Sequence, residues 1–66
     1  MTDKPEHVAR METELKELNE RITKLYLFFG GEKFNDLPPT DQMLLRVQYA
    51  AMQQYQQVLQ VRLLRA

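Results

Sequence analysis

The sequence predicts an all-α fold: an antiparallel two-helix hairpin that assembles into a dimeric or higher-order helical bundle. Three observations predict it. Two long stretches contain no internal helix breaker. Each carries apolar residues at alternating steps of three and four. One short segment, "FFGGEKFNDLPPTD" at 28–41, holds the only two glycines and two of the three prolines. Steps of three and four place side chains on one helix face, and clustered Gly and Pro mark the break between helices. The whole chain, 1–66, reads as one domain: a helix over 4–29, a turn over 30–38 and a helix over 39–64.

The first helix has a start signal. Asp3 is a candidate N-cap, with Glu6 three residues on as in a capping box. Pro5 falls in the first turn, where its missing N–H costs little. The apolar residues are then Val8, Met11, Leu15, Leu18, Ile22, Leu25 and Phe29. This is an unbroken heptad seam, the pattern by which helices wrap on one another. Between them lie Glu12–Lys16, Glu17–Arg21 and Glu20–Lys24, each worth about 0.2–0.5 kcal/mol as an (i, i+4) pair.

The turn follows. Gly30 predicts a left-handed C-cap. Phe34 and Leu37, apolar in a polar loop, are expected to fold back over the hairpin end. Pro38 and Pro39 stop a helix on their left and can open one on their right. Thr40 and Asp41 put oxygens in the new first turn, where the helix dipole favours them.

The second helix carries two stripes. One is Leu45, Gln48, Met52, Tyr55, Leu59, Arg62; the other is Leu44, Val47, Ala51, Gln54, Val58, Val61. One neighbour needs one stripe. Two stripes predict two neighbours, the first helix of the same chain and a helix of another, with Ala50 and Ala51 allowing close approach. Both helices are about 25 residues, or roughly 38 Å at 1.5 Å per residue.

Composition narrows the function. A chain of 66 residues buries only about 60% of its unfolded surface and is marginal alone. There is no Cys and a single His, His7, which excludes disulfides and a thiolate or His-based zinc site within one chain. Oligomerisation is the remaining device. Lys plus Arg and Asp plus Glu balance at 9 each, so no net field draws the chain to nucleic acid. DNA binding is not expected, since a helix-turn-helix needs a short basic recognition helix. No apolar run spans a bilayer, and no signal peptide is expected, so the expectation is a cytoplasmic protein without membrane contact. There is no Ser and no P-loop. An enzyme, a metal site and a cofactor are not expected.

Two groups could bind a ligand. At the turn, Tyr26, Phe28, Phe34 and Tyr49 lie with Lys24, Lys33 and Arg46. Rings with cations suit a planar base bearing phosphates; the alternative is that they close the bundle end. On the second helix, Gln48, Tyr55 and Arg62 share one stripe at seven-residue spacing. They either pack and hydrogen-bond across the bundle or line a groove between protomers. Seven Gln between 42 and 60 offer uncharged donors and acceptors. The candidate ligand-binding residues are therefore Gln48, Tyr55, Arg62, Arg46, Lys33, Phe34 and Tyr49.

Residues 18–63 resemble a family of small phage proteins related to a crAss-like phage protein. The likeness is carried by Lys24, Leu25, Phe28, Lys33, Phe34, Leu37, Leu44, Leu45, Gln48, Met52, Tyr55, Leu59 and Arg62. The double proline departs from the family, which more often has a capping Ser or Asp there. The resemblance implies a phage or prophage origin and a place in the host cytoplasm. It is compatible with a counter-defence factor, a helical homo-oligomer that sequesters a nucleotide immune signal in pockets between protomers. The alternative is a protein–protein module docking Leu44, Val47, Ala51 and Val58 on a host or phage protein.

Overall fold

The computed structural model describes residues 5–66. It is all-helical: α1 spans Glu6–Phe29, α2 Glu32–Asn35 and α3 Pro39–Arg65. Among the described residues there is no strand, and no helix is long and apolar enough to cross a membrane.

Pro5 sits at the N-cap of α1, not in its first turn, and no side chain caps that end. Its carbonyl accepts from the Val8 and Ala9 amides at 3.0 and 3.1 Å. Asp3 and Lys4, part of the expected helix start, lie outside the described residues. Arg10 pairs with Glu6 at 2.6 Å and Arg21 with Glu17 at 3.9 Å, all four exposed. Thr13 and Thr23 donate their hydroxyls to carbonyls four residues back. These bonds satisfy the hydroxyls without leaving the helix.

The turn departs from expectation. Gly30 is right-handed, with φ −86° and ψ 0°, and no described residue has positive φ. Gly30 and Gly31 amides instead close tight i→i+3 bonds to Leu27 and Phe28 at 3.2 and 3.1 Å, which satisfies two carbonyls left over at a helix end. The chain then winds into the one-turn helix α2. That winding carries Phe34 back under the hairpin, where it is 2% exposed. The Gln42 side-chain amide lies 3.1, 3.3 and 2.9 Å from the Phe34, Asn35 and Leu37 carbonyls, donating to the loop. Pro38 and Pro39 then start α3 as N-cap and first residue, with Asp41 in the first turn and Arg62 and Arg65 in the last.

The long helices run antiparallel. Phe29 and Tyr26 near the end of α1 meet Tyr49, while Asn19 meets Gln56 and Glu14 meets Tyr55. The seam of α1 faces inward as expected. Met11, Leu18 and Ile22 form the core with Leu59, flanked by Val8, Leu15, Tyr49, Met52 and Leu63. The inward stripe of α3 differs in phase. It is Leu45, Tyr49, Met52, Gln56, Leu59 and Leu63. Leu45, Met52 and Leu59 are shared with the expected stripe, but Gln48, Tyr55 and Arg62 stand one position outside it. Burial favours Tyr49 over Gln48 and Leu63 over Arg62. Gln56 is tolerated inside because its amide donates to Asn19 Oδ1 at 2.5 Å.

The result is a rod of 52 × 17 × 13 Å. Its radius of gyration is 15.4 Å, against about 11 Å for a compact chain of this length. One layer of two helices covers only one face of each.

Candidate functional site

The seven candidate residues separate into two groups. At the closed end, Phe34 is the plug. Its ring packs edge-on against Phe29 at 5.0 Å and Phe28 at 6.1 Å, and the Arg46 guanidinium lies 5.3 Å from its centre. A ring so enclosed has no free face for a ligand, which corrects its candidacy as a stacking residue. Tyr49 is half-buried, 5.3 Å from Phe29 and 6.3 Å from Tyr26. It belongs to the core. Arg46 is occupied by Phe34, and Lys33 is exposed on α2. These rings therefore close the bundle end.

The second group faces outward. Gln48 and Arg62 are exposed, and Tyr55 is 40% exposed. They run along one flank of α3, between the seam that meets α1 and the opposite face. The Tyr55 hydroxyl donates to the Glu14 carboxylate of α1. That hydrogen bond, then partial burial and the Glu14 charge, raise the phenol pKa above 10.0, while Arg62 pulls it down. At neutral pH Tyr55 is thus a protonated donor held in a fixed place, with a cation close by. Its ring keeps an open side.

Arg62 is the candidate that lines open surface most. With Arg65 it edges a shallow depression floored by Val58 and Val61, and a second beside His7 and Met11 at the open end. Beyond this flank, Leu44, Val47, Val58 and Val61 are 55, 60, 51 and 53% exposed. The arrangement offers a ring face, an amide and a cation beside uncovered apolar surface. Such a set can hold a planar, anionic molecule.

A family model, Sequestin, matches residues 5–65. The chain belongs to the Sequestin family. The match covers both long helices and the turn, and the family's name is consistent with a sequestering role. No curated protein and no solved structure matches the chain.

Sequence reasoning passed over Glu14 and Gln42 of this Sequestin chain. Glu14 reads as one more acid on a solvated helix face, and its contact with Tyr55 spans 41 residues. Gln42 is one of seven glutamines in its segment. Its position in the first turn after Pro-Pro was the available signal, because loop carbonyls near a helix start need donors.

Proposed function

We propose that this Sequestin chain is a non-enzymatic phage counter-defence protein that acts in the host cytoplasm. It is a homo-oligomeric sponge, holding a nucleotide immune signal in pockets between protomers. The observation that carries the reading is the flank of Gln48, Tyr55 and Arg62 beside the uncovered apolar face of α3. A rod two helices thick has little depth for an enclosed pocket, so a second protomer would supply the other wall. Tyr55 stacks on the base, Gln48 reads a base or ribose edge, and Arg62 meets a phosphate. The family name fits this role.

The uncovered stripe also favours a second reading, in which Leu44, Val47, Ala51 and Val58 dock on a host or phage protein. Calorimetric titration with cyclic and linear nucleotides separates the two. The sponge binds one class, more weakly as salt rises, and Arg62→Ala abolishes binding without changing the oligomer. Unaltered binding by Arg62→Ala would remove that residue from the site.

A further inference from the structure

The face of α3 turned away from α1 is apolar except for Gln54 at its centre. Leu44, Val47, Ala51, Val58 and Val61 follow one heptad stripe there, each exposed. The chain presents 5519 Å² of surface, where a folded monomer of its 7.9 kDa mass presents about 4400 Å². The excess is about 1100 Å². For scale, each partner in a standard protein interface buries about 800 Å².

We propose that this stripe pairs with the same stripe of a second copy, antiparallel, about a two-fold axis level with Met52 and Gln53. The stripe is symmetric about that level. Leu44 then meets the partner's Val61, Val47 meets the partner's Val58, and Ala51 meets the partner's Gln54. Bulky apolar pairs lie towards both ends and small Ala50 and Ala51 sit at the crossing, where they let the backbones approach. Charge selects the direction. Asp41 is in the first turn of α3 and Arg62 and Arg65 are in the last. Antiparallel pairing sets Asp41 beside the partner's Arg65 and opposes the two helix dipoles. Parallel pairing would stack four arginines at one end.

The symmetry has a consequence for the ligand flank. A two-fold axis between antiparallel helices leaves the same flank of both on the same side. Gln48, Tyr55 and Arg62 of one copy therefore line one groove with the same residues of the other. Each Tyr55 stands beside the partner's Gln48, and an Arg62 stands near each end. This groove rests on the proposed ligand reading, whereas the interface stands without it.

The chain has no Cys, so Gln53→Cys and Leu64→Cys each give one attachment point on the flank of α3 away from the contact. Spin labels on the full chain, without ligand, read the distance between copies. At 1.5 Å per residue, two Leu64 positions are offset by about 35 Å along the pair and two Gln53 positions by about 2 Å. A short distance at 53, about 10–20 Å, with a long one at 64, about 35–40 Å, is the expected result. Equal short distances at both sites, or no distance between labels at either, overturn the pairing. Adding Val47→Glu and Val58→Glu to the labelled chains should abolish both distances, and their persistence would place the contact elsewhere. The expected distances in a protein that binds no nucleotide would keep the interface and remove the sponge.

Discussion

Replacing Phe34 by Leu tests whether the closed end of the hairpin is a plug or a ligand pocket. Phe34 is 2% exposed and makes edge-on contacts with Phe28 and Phe29, beneath the Arg46 guanidinium. Leucine keeps the site apolar but loses the ring contacts. Two aromatic pairs at about 0.5–1.5 kcal/mol each and a cation–π contact of about 0.5–1 kcal/mol give an expected loss of about 1.5–4 kcal/mol. A chain of this length is stable by roughly 3–10 kcal/mol in all, so the effect takes a large share. Phe34→Ala, at about 3–5 kcal/mol, should leave much of the protein unfolded. The assay is urea unfolding followed by helix circular dichroism. Protomer concentration is held fixed, because any self-association would make the midpoint depend on it. Nucleotide affinity of the folded Leu variant should be unchanged. A stability loss under about 0.5 kcal/mol, or lost affinity at full stability, would refute the plug.

Further outcomes follow from single contacts. A Cβ at Gly30 or Gly31 would lie 3.8 or 3.5 Å from a carbonyl oxygen, an ordinary contact, and neither glycine has positive φ. Gly30→Ala and Gly31→Ala should therefore be tolerated or stabilise by about 0.4–1 kcal/mol, and a loss above 1 kcal/mol in the same unfolding assay would contradict the right-handed turn. Gln42→Ala takes the amide from the Phe34, Asn35 and Leu37 carbonyls. It should cost about 1–2 kcal/mol, and Gln42→Glu should not rescue it at neutral pH, since a carboxylate cannot donate. Tyr55 should titrate above 10.0, and Glu14→Gln should move it back down, as read by phenolate absorbance. Because the folded-state pKa is raised, the stability Tyr55 contributes is complete below pH 10 and is lost as pH rises through its folded value. A Tyr55 titration unchanged by Glu14→Gln would mean that the hydrogen bond is not formed.

The legible and illegible parts of the sequence differ for a physical reason. Between Met11 and Ile22 each turn of α1 offers one apolar residue for the seam, so Met11, Leu18 and Ile22 could face only one way. In α3 most turns offer two: Leu44 or Leu45, Val58 or Leu59. Periodicity alone cannot choose between them, and the expected stripe carried Gln48, Tyr55 and Arg62 inward. Packing chose Tyr49 and Leu63. Two glycines after Phe29 suggested a left-handed cap, yet Gly30 is right-handed and Gly31 extended, opening the α2 turn that buries Phe34. Phe34 as plug was readable from an apolar residue in a polar loop. The Tyr55–Glu14 bond was not, because it depends on the phase of α3 against α1. The same shift of phase that removed Gln48 and Arg62 from the core placed them on an open flank.

Native mass spectrometry of the protein, alone and mixed with cyclic and linear nucleotides, reads the oligomer and any bound ligand together. The expected result is a closed oligomer with an even number of chains that gains a fixed number of nucleotide masses for one ligand class. A closed oligomer that gains none across the panel would contradict the sponge and turn the uncovered face of α3 towards a protein partner.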